Sequence, residues 1–78
     1  MKVSRFTFNM FGVNTYILWD DISKDATIID PGMVNDSEQK IIDQIIEKNN
    51  LKLSHLVNTH MHIDHAFGVQ YMKNRYNL

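Results

Sequence analysis

No cysteine occurs in the sequence, which excludes disulfides, thiolate-held zinc and a cysteine nucleophile. Proline appears once, at Pro31, and glycine three times, at Gly12, Gly32 and Gly68, so no flexible linker or low-complexity tract interrupts the chain. Neither sign of charge dominates: eight basic residues face nine acidic ones, a formal net charge of -1. With no basic stripe and no polybasic run, neither nucleic acid nor a membrane surface is indicated as a partner. No apolar run approaches the roughly 20 residues of a spanning helix. The start, Met1 to Phe6, carries charge where a signal core would be apolar, so a cytoplasmic location is expected.

What remains is ordinary for a globular chain: 44% hydrophobic and 22% charged residues over 78 positions. A chain of this size buries only about 60% of the surface its unfolded form exposes. Small domains compensate with disulfides, a metal or oligomerisation. Disulfides are excluded, and four histidines leave a metal open.

The patterning predicts three strands, a helix, a strand and a helix. Lys2 to Phe8 alternates, with Phe6 and Phe8 on one face and Arg5 and Thr7 on the other. Asn9 to Gly12 reads as a turn. Val13 to Trp19 is a second strand, β-branched and aromatic, with Tyr16 and Trp19 as core or sheet-face residues. Asp20 to Asp25 reads as a hairpin connection. Ala26 to Ile29 is short and almost wholly apolar, which predicts burial on both faces. It ends in the turn Asp30-Pro31-Gly32. A helix follows, capped by Asp36 or Ser37, with Gln39 completing an imperfect capping box if Asp36 is the cap. Ile41, Ile42, Ile45 and Ile46 form its apolar stripe, and Asn49-Asn50 is its stop. Leu51 to Thr59 reads as a fourth strand, and Ala66 to Tyr76 as a second helix with Phe67, Tyr71 and Met72 at helical spacing. On that helix Tyr71, Lys73, Arg75 and Tyr76 read as ordinary apolar and solvated faces.

The strand–helix–strand segment predicts that the third and fourth strands are parallel neighbours. Ligands of such sheets bind beyond the carboxyl ends of the strands. Asp30 follows one of those ends and His60 the other.

The chemistry concentrates in Thr59-His60-Met61-His62-Ile63-Asp64-His65. Imidazole and carboxylate suit zinc, iron or manganese. His60 and His62, at i and i+2 of an extended segment, emerge on one side and can grip one ion. Asp64 and His65 follow where the chain turns, within reach of a second ion; two ions about 3.5–4 Å apart clamp and activate a water. His55 lies inside the strand and reads as a surface or half-buried residue.

This pattern resembles the metallo-β-lactamase-fold hydrolases, a superfamily that includes glyoxalase II. Its signature, His-x-His-x-Asp-His led by Thr, matches Thr59 to His65. Asn14-Thr15-Tyr16-Ile17-Leu18 resembles the second-strand segment, and Ile28-Ile29-Asp30-Pro31-Gly32 the Asp-Pro-Gly turn. The resemblance implies an α+β fold, the αββα four-layer sandwich, of which residues 1–78 would be the incomplete N-terminal part. It implies that His60 and His62 bind a first metal and Asp64 and His65 a second, with Asp64 also orienting the nucleophile. Asp30 and Thr59 would support the ligands without binding metal. The implied reaction is attack by a metal-activated hydroxide on an ester, thioester, lactone or similar bond of a small-molecule substrate. The implied cofactor is Zn2+, one or two ions, with Fe or Mn as alternatives.

Members of the family supply further ligands from later in the chain. Only thirteen residues follow His65, and none is His, Asp or Glu. Phe67 also stands where many members have glycine. The expectation is therefore half a metal site, little hydrolase activity from this chain alone, and self-association or pairing with a C-terminal half. Two other readings stand beside the hydrolase: an iron-dependent persulfide dioxygenase of the same fold, and a non-catalytic metal-binding fragment that needs a partner chain.

Overall fold

A computed structural model describes residues 1–9, 12–59 and 68–76. The elements run β1 (Lys2–Phe8), β2 (Val13–Trp19), β3 (Asp25–Ile29), α1 (Asp36–Lys48), β4 (Lys52–Val57) and α2 (Val69–Tyr76). The strands form one sheet in the order β1-β2-β3-β4. The first three are antiparallel neighbours, and β3 pairs with β4 in parallel, as the crossover predicts.

One face of this sheet carries the core. Val13, Thr15, Ile17 and Trp19 alternate inward along β2 and are buried. Phe8 pairs with Val13, and Ile28 with Ile17, which puts all of them on that face. Phe6 stacks on Phe8 at 5.8 Å, the shared face their spacing predicts. Ile42 and Ile46 of α1 and Met72 of α2 join Ile17, Ile28 and Trp19 in the same cluster. Burying each such side chain contributes roughly 1.5–3 kcal/mol. The opposite face is open. Val3 is 60% and Val57 45% exposed. Thr27 and Ile29 of β3 are only half-buried, so the expectation that this strand is buried on both faces is corrected. Among the described residues nothing packs against that side of the sheet with the density of the helix side.

The helix boundaries differ from the sequence reading for identifiable reasons. The N-cap of α1 is Asn35, not Asp36 or Ser37; its extended backbone lets its side-chain oxygen accept from the Glu38 amide at 3.0 Å. Glu38, not Gln39, stands three residues on, and its carboxylate accepts from the Val34 amide at 2.9 Å and the Asn9 amide at 2.8 Å. The box therefore closes on neighbouring segments instead of on the cap itself. At the other end Asn50 adopts φ 54°, and the Asn50 and Leu51 amides donate to Glu47 and Ile46 carbonyls. That is a Schellman stop built on the Asn49-Asn50 pair. Ile41 is 45% exposed, so the apolar stripe narrows to Ile42, Ile45 and Ile46. Strand β3 starts one residue early, at Asp25, and β4 stops at Val57, before Thr59. Helix α2 runs from Val69; Ala66 and Phe67, where the sequence reading began it, lie outside the described residues.

Candidate metal centre

Asp30 sits at the carboxyl end of β3 with φ 53°, in the left-handed region. That conformation costs a side-chain-bearing residue roughly 1–2 kcal/mol, and aspartate tolerates it better than most. Hydrogen bonds on all sides hold it there. Its amide donates to the Val57 carbonyl at 2.8 Å, which fastens the end of β3 to the end of β4. Its carbonyl accepts from the Thr15 hydroxyl at 2.7 Å, and the same hydroxyl accepts from the Gly32 amide at 3.0 Å. Thr15 is fully buried, so its single hydroxyl satisfies two groups of the turn from inside the core.

The Asp30 side chain does the second job. It is 5% exposed, and its carboxylate accepts from the Thr59 amide at 2.7 Å and from the Thr59 hydroxyl. Thr59 is therefore fixed through both backbone and side chain, immediately before His60. The far end of the histidine segment returns to the same turn. The Gly68 amide donates to the Pro31 carbonyl at 2.7 Å. A Cβ on Gly68 would lie 2.9 Å from that carbonyl oxygen and 2.9 Å from Met33 Cε, so only glycine fits this approach. Asn9 fastens the β1–β2 connection to the same place, donating from its side-chain amide to the Gly32 carbonyl at 3.0 Å.

Residues 59 and 68 thus both attach to Asp30-Pro31-Gly32, at the carboxyl ends of two parallel strands. The structure brings together Asp30 and Thr59, the two residues assigned supporting roles in the sequence reading. His60, His62, Asp64 and His65, assigned there as ligands, lie outside the described residues, as do Met61, Ile63 and Phe67. Among the described residues no group of three His, Asp or Glu side chains is placed to hold a metal ion. The donor set of the segment, three imidazoles and a carboxylate, is chemically suited to zinc or iron. His55 is exposed on β4 beside Ser54, the surface position the sequence reading gave it.

Two supporting roles escaped the sequence reading: Thr15 and Asn9 each hold the turn. Thr15 could have been found: it is a polar residue at an inward position of the alternation Val13-Thr15-Ile17, and a buried hydroxyl needs partners.

The described residues also form a depression of about 420 Å³ along α1 and α2, bordered by Asp36, Lys40, Asp43, Glu47, Tyr71 and Arg75. Its lining includes neither Asp30 nor Thr59.

Residues 9–78 match the family model of the metallo-beta-lactamase superfamily. The chain belongs to that superfamily. It is 33% identical, over its whole length, to the hydroxyacylglutathione hydrolase GloC of Haemophilus influenzae, and spans 34% of that protein. It is 41% identical over 54 residues to the mitochondrial persulfide dioxygenase ETHE1 of Mus musculus, covering 69% of this chain and 20% of that one. The crystal structure of the BLEG-1 B3 metallo-beta-lactamase superposes with a TM-score of 0.81 at 26% identity, over 99% of this chain and 34% of that one. The chain thus spans about a third or less of the length of these relatives. Its four-stranded sheet with two helices on one face is the N-terminal half of the metallo-β-lactamase fold.

Proposed function

We propose that the protein bearing this sequence is a metal-dependent hydrolase acting on an ester, thioester or lactone bond. Residues 1–78 are read as the N-terminal part of one domain, and the remaining ligands come from outside this sequence. The observation that carries the reading is the double attachment of the histidine segment, Thr59 to Asp30 and Gly68 to Pro31, at the carboxyl ends of β3 and β4. Sheets of this topology keep their chemistry beyond those strand ends, which supports the reading. The similarity to a hydroxyacylglutathione hydrolase supports a thioester-class substrate.

In this reading His60 and His62 hold a first ion, and Asp64 and His65 a second. Zinc is the cofactor proposed, as one or two ions. Such ions, when bound, lower the pKa of water and polarise the scissile carbonyl. Asp64 orients the attacking water by accepting its hydrogen bond. Asp30 supports the ligands without binding metal: its carboxylate fixes the Thr59 amide and hydroxyl, one residue before His60 in the sequence. The open sheet face is proposed to pair with the other half of the domain, or with a second copy in its absence. No helix among the described residues is long and apolar enough to cross a membrane; a cytoplasmic location belongs to the proposal.

Zinc titration of the wild type against His60→Ala and Asp64→Asn tests the ligand assignment. Affinity should fall at least tenfold in each, and unchanged affinity in both would refute it. The similarity to a persulfide dioxygenase favours a second reading, with iron in the same ligands. Iron retained through purification, with oxygen consumed on a persulfide, would select it; zinc with thioester hydrolysis would select the first.

A further inference from the structure

Gly68 leads directly into α2, and α2 is tied to α1 by a carboxylate outside the Asp30 turn. Asp43 lies midway along α1 with its side chain only 14% exposed. It accepts hydrogen bonds from the Tyr71 and Tyr76 hydroxyls and pairs with Arg75 Nε at 3.1 Å. On α2 these groups flank Met72, which is fully buried in the core, so one side of the helix carries both the polar ties and the apolar packing. A helix of eight residues has little stability of its own, so its placement comes from such tertiary ties.

We propose that Asp43 is a positioning residue for the metal ligands: by tying α2 to α1 it holds Gly68, and with it the exit of the histidine segment, against Pro31. The inference rests on the metal reading above. Gly68 is three residues beyond His65, and its carbonyl accepts the Met72 amide at 3.0 Å as α2 begins. Any slide of α2 is therefore transmitted to Gly68. One residue of slide along a helix is about 1.5 Å, whereas metal–ligand distances tolerate only about 0.2 Å. A slide well short of one residue at Gly68 therefore exceeds what metal coordination tolerates.

The test uses Asp43→Asn and the double variant Tyr71→Phe/Tyr76→Phe. Amide hydrogen exchange is followed by NMR at Gly68, with Ile17 in the core of β2 as the reference. Co2+ is titrated in parallel, and its visible spectrum reports ligand geometry. Gly68 should exchange at least tenfold faster in both variants while Ile17 keeps its rate. Co2+ affinity should fall at least fivefold, with an altered spectrum. Unchanged exchange at Gly68 would overturn the inference. So would faster exchange with wild-type Co2+ affinity and spectrum, since the helix tie would then be structural only. A wild type that takes up no Co2+ would instead overturn the metal reading itself, and the inference with it.

Discussion

Asp30 and Asp43 use the same side chain for opposite tasks. Asp30 ends a strand in a left-handed conformation, and its carboxylate takes two hydrogen bonds from one residue, Thr59. Asp43 sits in regular helix, and its carboxylate collects two phenols and a guanidinium spread along another helix. The first fixes a point of the chain; the second fixes one element on another. The difference follows from position. A loop at the carboxyl ends of parallel strands carries chemistry on a rigid frame, while a helix flank carries packing. The sheet shows the same division, with a dense helix-covered face and an open one that exposes Val3 and Val57.

The largest expected effect separates the two carboxylates by stability. Asp30→Ala removes both acceptors of Thr59 in a buried place, at about 1–3 kcal/mol for each lost partner, and leaves a non-glycine residue at positive φ without aspartate's tolerance. A loss of about 3–5 kcal/mol in urea unfolding is expected. Asp30→Asn keeps one acceptor and the backbone tolerance, and should lose only about 1 kcal/mol. Asp43→Ala should lose about 1–2 kcal/mol, because water reaches the half-buried phenols it abandons. If Asp43→Ala cost as much as Asp30→Ala, the division between point and element would fail.

Much of this was legible in the sequence, and the parts that were not share a cause. The alternation of Phe6-Phe8 and of Val13 to Trp19 reports the sheet because period 2 is a local property. The order strand, helix, strand reports the parallel pair because few connections allow it. The Asp30 rim was reachable by the same reasoning. Asn35 was missed as the cap because three polar residues, Asn35, Asp36 and Ser37, compete for the role, and the backbone of Asn35 decides it. The Asp43 tie was missed because Tyr71 and Tyr76 lie 28 and 33 residues away, beyond any periodic signal. Ordinary apolar and solvated faces were expected for α2, and Tyr71 and Tyr76 packed against the core with Arg75 at 46% side-chain exposure fit that reading; only the shared carboxylate lay beyond it.

A smaller effect appears at high pH and belongs to Asp43 alone. Burial, then the hydrogen bond to the Asp43 carboxylate, pushes the Tyr71 phenol up to about 12, and the same causes raise Tyr76. A group whose folded pKa is raised stabilises fully below its unfolded value near 10 and loses that contribution as pH rises through the folded value. Stability should therefore hold to about pH 10 and decline toward pH 12. Tyr71→Phe/Tyr76→Phe should flatten that decline. Phenolate absorbance at 295 nm checks it: the wild type should show delayed ionisation relative to the urea-unfolded chain. Identical titration curves would mean that the phenol–carboxylate contacts do not form in solution.

The smallest effect asks which partner of Asp43 matters. Arg75 contacts Asp43 at 3.1 Å and Glu47 at 3.7 Å, but its side chain is 46% exposed and that of Glu47 72%. The guanidinium also lies 5.7 Å from the ring of its neighbour Tyr76. The Tyr76 phenol, then the Asp43 carboxylate, raises its pKa further, so it stays charged throughout the accessible range. Exposed ion pairs are screened by salt and contribute about 0–1 kcal/mol. Arg75→Ala should therefore lose less than about 0.5 kcal/mol in urea unfolding, and less still in 1 M salt. A loss above about 1 kcal/mol that survives high salt would show that Asp43 relies on the guanidinium. Asp43 would then be an ion-pair anchor, and the phenols mere packing around it. A small, salt-sensitive loss leaves the tie with Tyr71 and Tyr76, the two groups that reach Asp43 from opposite ends of α2.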